Sequence, residues 1–297
     1  MLKLTHAHGE SVSVSADGTE LLRYIYRPDP EPTESPKPYV HPLRTLAGDV
    51  VSGYRPHDHR WHKGLQMTGS HVSGDNFWGG GTYVDERRGY VQLDNNGRIR
   101  HERFDHVDAD ADRARLSERL TWVSFQGEEW LDESREVIAG RVDAAAGSWE
   151  LEWRTTLTGR REQPLRFGSP TTHGRPLAGY SGLFWRGPRS FTDGEIIGPG
   201  ELSGESMMGV GAPWLAFVGR HDEVDRSSTL VFHVAPECRA TWFVRSAPFA
   251  AVNPSWAFHE EFELARGESM TWRYRLVVAT GSWDRDRVER HLKENPW

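Results

Sequence analysis

The segment SWELEWRTTLTG, residues 148–159, alternates large apolar side chains with polar or charged ones. Trp149, Leu151 and Trp153 share one face of the extended chain, and the charged residues between them share the other. The segment SMTWRYRLVV, residues 269–278, repeats this alternation. Because successive side chains of a strand point to opposite faces of a sheet, both segments are predicted to be antiparallel strands with one buried face.

Turn-forming tetrapeptides recur between segments of this kind, at 16–19, 94–97, 145–148 and 265–268. Only SWDRDRVERHLKEN, residues 282–295, has the apolar spacing and the acidic first turn of a helix. The segment DADRARLSERL is ambiguous, and we predict a strand from Leu116 onward. Many strands with little helix are typical of a sandwich or a barrel. We therefore predict an all-β protein, a large antiparallel β-sandwich with a short C-terminal helix.

The chain has 297 residues, a length at which β-sandwiches often fold as one unit. We predict a single domain over residues 1–297, with an opening hairpin at 1–26 and a proline-rich surface loop at 27–40. Cys238 is the only cysteine, which excludes an internal disulfide and a zinc site built from cysteines.

Charge and hydropathy narrow the class of partner. The net charge is −7 and no block of basic residues occurs, so we expect no nucleic-acid partner. No segment approaches the roughly 18 apolar residues that a membrane helix needs. The N-terminal residues also lack the apolar run of a signal peptide. We therefore expect a cytoplasmic protein without a membrane partner, and we leave a homodimer open.

The segment RPHDHRWHKGLQMTGSHVSGDNFWGGGTY, residues 55–83, is rich in imidazoles, indoles and glycines. It contains four of the fourteen histidines: His57, His59, His62 and His71. On a regular strand His59 and His62 would face opposite ways, but a turn at Arg60-Trp61 would bring them together. An imidazole with a pKa of about 6.5 can both accept and donate a proton near neutral pH, so acid–base chemistry is the favoured hypothesis.

Metal binding is the alternative for the same residues, because neutral imidazoles bind several divalent transition metals. The ligands would be His57, His59 and His62. No carboxylate or cysteine is an evident fourth ligand, and the metalloprotease pattern with a glutamate between two histidines is absent. We therefore expect no cofactor and keep a divalent metal as the alternative.

Asp75, Asn76 and Trp78 lie beside a run of three glycines in HVSGDNFWGGGTY. An indole face, polar groups for hydroxyls and glycines that let the backbone approach a ligand are suited to binding a sugar. The alternative is a glycine-rich hairpin with Asp75-Asn76 at its turn.

Two later segments also concentrate polar and aromatic residues. In RFGSPTTHGRPLAGYSGLFWRGPR, residues 166–189, His173 and Arg175 are the first candidates for the site, and Trp185 and Arg186 are the second. In TWFVRSAPFAAVNPSW, residues 241–256, a charge inside an aromatic strand would be costly without a partner. The charged residue is Arg245, whose side chain must point outward or meet an anion, a carboxylate or a polarised oxygen. Asn253-Pro254 is interpreted as the turn behind it.

Other catalytic classes have little support. A glycine-rich dinucleotide or phosphate loop and a nucleophile-elbow serine are both absent. A glycosidase built on two carboxylates would need acids whose separation a sequence does not reveal. Its candidate members are Asp58, Asp75 and Glu260.

Four separated segments, YVHPLRTLAG, DHRWHKGL, SHVSGDNFWGG and NPSW, occur in the order seen in a known domain family. Over roughly residues 38–280 the chain resembles the family labelled methane oxygenase PmoA. The central motif of that family, Asp-His-x-x-His-basic-Gly, falls on Asp58, His59, His62, Lys63 and Gly64. Further motif positions fall on His41, Arg44, Asn76, Phe77 and Trp78.

The resemblance implies a galactose-mutarotase-like β-supersandwich and a role in carbohydrate catabolism. The label is misleading, because membrane methane oxidation needs a copper-containing membrane protein and this chain has no candidate membrane helix. Many relatives carry a histidine beside the late arginine, whereas this chain has Phe243 two positions before Arg245. A mechanism that needs that histidine would have to use His173 instead.

We therefore expect a carbohydrate-active enzyme that acts on a sugar or a keto-glycoside, as an epimerase or mutarotase or as a lyase or hydrolase. The expected catalytic residues are His59, His62, His173 and Arg245. The expected substrate-binding residues are His41, Arg44, His71, Asp75, Asn76, Trp78, Arg175 and Trp185. The alternatives are a metal-dependent sugar enzyme and a non-catalytic carbohydrate-binding module, which would present a shallow aromatic platform.

Overall fold

The computed structural model describes residues 1–238 and 240–297. Within them lie three short 3-10 turns, Pro32–Glu34, Arg189–Phe191 and Gly204–Met207, and one α-helix, α1 (Arg285–Glu294). The strands are β1 (Leu2–Ala7), β2 (Ser11–Ala16), β3 (Thr19–Ile25), β4 (Tyr39–Leu43), β5 (Leu65–Thr68), β6 (His71–Val72), β7 (Thr82–Tyr83), β8 (Tyr90–Val91), β9 (Arg98–Ala109), β10 (Arg113–Val123), β11 (Glu129–Asp143), β12 (Ser148–Gly159), β13 (Leu165–Gly168), β14 (Gly182–Arg186), β15 (Glu195–Ile197), β16 (Trp214–Arg220), β17 (Ser227–Val234), β18 (Thr241–Arg245), β19 (Ala251–Ser255), β20 (Phe262–Leu264) and β21 (Ser269–Thr280).

Two eight-stranded sheets make up most of the molecule. The first has the strand order β1-β2-β3-β4-β5-β14-β19-β18, and the second has the order β15-β16-β17-β21-β12-β11-β10-β9. All pairings within the two sheets are antiparallel. Strands β20, β13 and β6 form a small third sheet, and β7 pairs with β8. The predicted large antiparallel all-β fold with a C-terminal helix is confirmed.

The main core lies between the two large sheets and is built from the alternation seen in the sequence. Trp149, Leu151 and Trp153 of β12 are buried in one cluster with Val14 and Leu22 of the first sheet. Each large side chain removed from water contributes roughly 1.5–3 kcal/mol, so the facing apolar rows hold the sheets together.

A buried polar network also joins the two sheets. The Tyr24 hydroxyl of β3 donates a hydrogen bond to Glu118 of β10 and accepts one from Arg135 Nη1 of β11 at 2.9 Å. Arg135 in turn donates to Glu133 Oε1 at 2.7 Å, and all four side chains are buried. Because buried charges are costly without partners, this network favours one alignment of the sheets.

The outer face of the second sheet is covered by the C-terminal helix. Val288 of α1 and Trp283 before it pack on Val231 and Val277 of the sheet. The helix begins after Asp284, whose carboxylate accepts a hydrogen bond from the backbone N–H of Arg287 at 2.9 Å. No helix in the described part of the chain is long and apolar enough to cross a membrane.

Several local expectations differ from the structure. Residues 1–26 hold three antiparallel strands rather than a single hairpin, since β2 pairs with both β1 and β3. Strand β10 begins at Arg113, before the predicted start at Leu116. Asn253-Pro254 lies inside β19 instead of at a turn, because Asn253 pairs with Phe243 and Pro254 with Trp242 of β18.

The outer face of the first sheet carries a different set of side chains from its core face. Leu183 and Trp185 of β14 join the main core, so Phe184 between them points the other way. On β18, Trp242 and Val244 join the core, and the alternate positions 243 and 245 face outward. The candidate site lies on this outer face, beneath the connecting loops.

Candidate functional site

A cavity of about 480 Å³ opens on the outer face of the first sheet. Its polar walls are His59, His62, Arg175 and Arg245. Its aromatic walls include Trp61, Trp78, Tyr90, Tyr180, Phe184 and Phe249. Such a volume, with apolar walls and a few polar groups, is typical of a small-molecule site.

His59 and His62 come together through a tight turn. The backbone N–H of His62 donates to the carbonyl of His59 at 2.9 Å, so Arg60 and Trp61 occupy the turn. The two imidazole rings stack with centroids 4.8 Å apart and an interplanar angle of 29°. The expected turn at Arg60-Trp61 is therefore present, and it turns both rings to the same side.

The environment of His62 keeps its ring neutral. Burial holds the pKa of His62 well below its ordinary value, and electrostatic interactions with His59 and Arg186 lower it further. Arg186 Nη1 lies 3.4 Å from His62 Nδ1, at the long limit of a hydrogen bond. Because a guanidinium only donates, Nδ1 is the acceptor and the proton of the neutral ring is on Nε2.

The Nδ1 atom of His59 is hydrogen-bonded to a carboxylate, whereas that of His62 faces an arginine. Its Nδ1 lies 3.0 Å from Asp58 Oδ2, and Arg189 Nη2 lies 3.3 Å from the other carboxylate oxygen. Burial of Asp58 opposes its ionisation, but the hydrogen bond from His59 outweighs it with the help of a backbone hydrogen bond, so the pKa of Asp58 is lowered. An ionised Asp58 accepts from Nδ1–H, which leaves Nε2 of a neutral His59 as a proton acceptor.

Aromatic rings surround the histidine pair. Trp78 lies 5.5 Å from His62 and 4.4 Å from Tyr180, measured between ring centroids. The ring centroids of Phe249 and His59 are 5.1 Å apart. The guanidinium carbon of Arg186 lies over the Phe249 ring, 3.9 Å from the centroid of that ring. These rings offer flat apolar faces to a ligand beside the histidine pair.

The glycine-rich loop seats the indole of Trp61. A Cβ at Gly80 would lie 2.6 Å from Trp61 Cη2, and one at Gly79 would lie 2.5 Å from Trp61 Cβ. Both glycines also have positive φ angles, +110° at Gly79 and +67° at Gly80. Asn76 ties this loop together: its Oδ1 accepts from the backbone N–H groups of Trp78 and Gly79, both at 2.9 Å. Asn76 therefore shapes the wall of the cavity without lining it.

Two other positions of the Asp-His-x-x-His-basic-Gly motif are explained by packing. Lys63 Nζ forms a buried ion pair with Glu34 Oε2 at 2.8 Å, on the proline-rich loop. A Cβ at Gly64 would lie 2.1 Å from the carbonyl oxygen of Val40. The motif thus anchors the histidine turn to the neighbouring strand β4.

The structure brings together five of the residues predicted for the site: His59, His62, Trp78, Arg175 and Arg245. It places the others outside the cavity. His41 Nδ1 lies 2.9 Å from Ser52 Oγ, and burial lowers the pKa of His41 to about 4. Arg44 donates to the carbonyl of Gly48 at 3.0 Å. Trp185 is a core residue, which follows from its position on the inward face of β14.

His71, Asp75 and His173 lie together with the small third sheet rather than at the cavity. The rings of His71 and His173 stack at 4.0 Å, and burial lowers the pKa of His71 to about 3. Asp75 Oδ2 accepts from the backbone N–H of Phe125 at 2.6 Å. His173 therefore does not take the place of the late histidine beside Arg245.

The histidines considered as metal ligands do not converge. Arg189 Nη2 lies 3.1 Å from His57 Nδ1 and donates to it, and His57 does not line the cavity. Over residues 1–238 and 240–297, no group of three or more histidine, cysteine, aspartate or glutamate side chains could hold a metal ion. Of the candidates for a carboxylate pair, Asp58, Asp75 and Glu260, none lines the cavity.

Sequence reasoning missed several residues of the cavity. Trp61, Tyr90, Tyr180 and Phe249 form its walls, but only Trp61 lies within the histidine motif. The signal for Trp61 was its position inside the predicted turn. Tyr180 and Phe249 lie in loops and Tyr90 begins the two-residue strand β8, so no periodicity tells which way these side chains point.

The fold and the cavity define a class: an antiparallel β-sandwich with an aromatic site, containing a histidine pair and two arginines, on the outer face of one sheet. The chain belongs to the family of unknown function DUF6807, whose model matches residues 11–293. That family does not carry the methane-oxygenase label expected from the motifs. No protein of curated function matches the chain in sequence.

Solved structures share the fold only distantly. A variant α-galactosidase from Geobacillus stearothermophilus is 14% identical, with a TM-score of 0.41 over 95% of this chain and 41% of that one. A heparan sulfate lyase from Pedobacter heparinus is 7% identical, with a TM-score of 0.42 over 92% of this chain and 34% of that one. A galactose 1-epimerase from Lactobacillus acidophilus is 8% identical, with a TM-score of 0.44 over 95% of this chain and 100% of that one. The chain thus spans less than half of the first two, and likenesses at these scores establish no activity.

Proposed function

We propose that this protein is a carbohydrate-active enzyme that transfers protons on a sugar or keto-sugar bound in the cavity. The observation that carries the proposal is the stacked pair of His59 and His62 inside a ring of aromatic side chains. The reaction class is that of an epimerase or mutarotase, or of a lyase or hydrolase that acts on a keto-glycoside.

In this mechanism His59 is the base. Its Nδ1–H is held by Asp58, so Nε2 can take a proton from a hydroxyl group or from a carbon next to a carbonyl. The imidazolium that forms lies beside the carboxylate, which stabilises the added charge. Return of the proton from His59 to the same face regenerates the substrate, whereas epimerisation requires the planar intermediate to turn its opposite face to His59 before the proton returns.

His62 has a complementary role. Because its ring stays neutral, it donates a hydrogen bond from Nε2 without first acquiring a proton. When a proton leaves a carbon next to a carbonyl, the electron pair moves to the carbonyl oxygen, and this N–H would stabilise the developing charge. The two histidines thus divide the work, one as the base and the other as the hydrogen-bond donor.

The walls of the cavity favour a sugar as the ligand. Trp78, Tyr180 and Phe249 offer ring faces on which the C–H faces of a pyranose can stack. A non-catalytic binding module would need only an open platform, whereas here the rings enclose a histidine pair within stacking distance. This enclosure supports an enzyme over a binding module.

The experiment starts from a ligand screen. Catabolic sugars and their keto derivatives are tested by thermal shift on the full chain, since a ligand that binds the folded state raises the melting temperature. Proton transfer is then followed by NMR as deuterium incorporation from D₂O into the bound sugars. His59→Gln should reduce turnover by about 10²–10⁴-fold, the usual contribution of a positioned acid–base group.

The matched control is His106→Gln, since His106 is an exposed histidine of β9 far from the cavity in sequence. It should leave turnover unchanged. Full turnover in both His59→Gln and His62→Gln would refute the mechanism. Metal analysis of protein purified without a nickel column tests the metal-dependent alternative, which requires a stoichiometric transition metal.

A further inference from the structure

We infer that the ligand of this cavity carries a carboxylate, so that the substrates are sugar acids rather than neutral sugars. This inference rests on the proposed function and adds the substrate class. It is carried by two arginines of the wall, Arg175 and Arg245, and by the kinds of side chain around them.

Neither arginine has an acidic partner among residues 1–238 and 240–297. The guanidinium of Arg245 lies 5.4 Å from the ring centroid of Phe243, and it makes no hydrogen bond or ion pair with a described side chain. The guanidinium of Arg175 lies 4.9 Å from the ring centroid of Tyr90 and donates to its hydroxyl. Elsewhere, pairing with a carboxylate is common, as for Arg226 and Asp49 at 2.7 Å.

The two arginines belong to one end of the cavity. The hydroxyl groups of Tyr90 and Tyr180 are 2.5 Å apart, so Tyr180 contacts the tyrosine that binds Arg175. The ring centroids of Tyr180 and Phe243 are 5.4 Å apart, so Tyr180 also contacts the ring over which Arg245 lies. The aromatic partners of the two guanidinium groups, Tyr90 and Phe243, therefore both contact Tyr180.

The local charge is opposite to that of the whole chain. The net charge is −7, yet no described residue that lines the cavity is an aspartate or a glutamate. The carboxylate next to the site, Asp58, does not line the cavity and accepts hydrogen bonds from His59 and Arg189. A cationic wall without counter-charge attracts an anion, and an anionic ligand would offset the cost of partly burying the arginines.

The group that best fits is a carboxylate. A guanidinium presents a planar fork of donors that matches the two oxygens of a carboxylate. The arginine end is also separated from the histidine end by little more than one indole, because Trp78 contacts both Tyr180 and His62. A monosaccharide acid can therefore place its carboxylate at the arginines while its reacting carbon lies near His59.

The test is isothermal titration calorimetry on the full chain with matched ligands. Glucuronate, galacturonate and mannuronate are each compared with the corresponding neutral hexose, and glucose 6-phosphate represents a phosphate anion. We expect the preferred hexuronate to bind at least about tenfold more tightly than its hexose, and less tightly as salt is added.

The variants locate that preference. Arg245→Gln and Arg175→Gln should each remove most of the tenfold preference, whereas Arg245→Lys should keep part of it, since it keeps the charge but loses the planar fork. Arg220→Gln, at an exposed arginine that ends β16, is the matched control and should keep the full preference. Unchanged circular dichroism and melting temperature would show that the variants are folded.

The failures are distinguishable. Equal affinity for hexose and hexuronate, or a preference that survives Arg245→Gln, would refute the sugar-acid inference while leaving the histidine mechanism intact. Tighter binding of glucose 6-phosphate than of any hexuronate would refute the carboxylate assignment. Absence of binding by both the neutral and the acidic series would refute the inference, and the proposed function would fall with it if the keto derivatives of the thermal-shift screen also do not bind.

Discussion

Replacing Gly80 with alanine should show whether the glycine-rich loop holds Trp61 against the cavity. Gly80 has a φ angle of +67°, and its Cβ would lie 2.6–2.7 Å from three carbons of the Trp61 indole. Gly89 has nearly the same φ angle, +63°, but a Cβ there would meet no atom within 4 Å. The pair therefore separates backbone strain from contact with the indole.

The left-handed backbone conformation costs an alanine about 1–2 kcal/mol at either position. Overpacking against the indole adds about 1–3 kcal/mol at position 80 alone. We therefore expect Gly80→Ala to lower the free energy of unfolding by about 2–5 kcal/mol and Gly89→Ala by about 1–2 kcal/mol. Urea denaturation followed by circular dichroism measures both values.

A second variant tests the cause. Trp61→Leu removes the atoms that a Cβ at position 80 would meet, so the double variant Gly80→Ala/Trp61→Leu should lose less stability than the two single losses combined. Ligand affinity should also fall in Gly80→Ala, because a displaced Trp61 moves the turn between His59 and His62. Equal destabilisation by Gly80→Ala and Gly89→Ala, or strict additivity in the double variant, would refute this account of the loop.

Two further predictions concern stability away from the cavity. Burial lowers the pKa of His71 to about 3. Below about pH 6.5 the unfolded chain therefore binds a proton at this position while the folded chain does not. The free energy of unfolding should fall as the pH drops from about 6.5 towards about 3. His71→Phe should flatten that decline by up to about 1.4 kcal/mol per pH unit in urea titrations between about pH 4 and pH 6, and an unchanged slope would contradict the assignment. Tyr24→Phe removes the hydroxyl shared by Glu118 and Arg135 and should cost about 1–3 kcal/mol, whereas Tyr54→Phe, at a tyrosine that is 48% exposed, should cost little in the same assay.

Sequence analysis found the cavity residues whose positions depend on nearby residues in the chain, and it missed those whose positions depend on packing against distant segments. His59 and His62 were predicted to meet because a four-residue turn is a local event, and one backbone hydrogen bond closes it. Tyr90, Tyr180 and Phe249 were missed, since Tyr180 and Phe249 belong to connecting segments and Tyr90 begins a strand of only two residues, too short for a repeating pattern. Loop side chains take their direction from the elements on which they pack, and those elements come from elsewhere in the chain.

Motif membership was a poor guide to position in the site. His41, Arg44 and Asn76 all belong to the motifs, yet their side chains bond to neighbouring serine, backbone or loop groups outside the cavity. Arg175 lies outside those motifs and lines the cavity. A motif preserves whatever the local fold requires, including anchors such as the Lys63–Glu34 ion pair, as well as groups that meet a ligand.

By itself, the amino-acid sequence determined the fold class, because alternation with a period of two places one face of each strand in the core whatever its neighbours are. It also determined the histidine turn and the short C-terminal helix, which depend on residues a few positions apart. Only the tertiary structure decided which polar groups share the cavity. The order β5-β14-β19-β18 brings together strands that are far apart in the chain, and Arg175 and Arg245 line one cavity only after that order has formed.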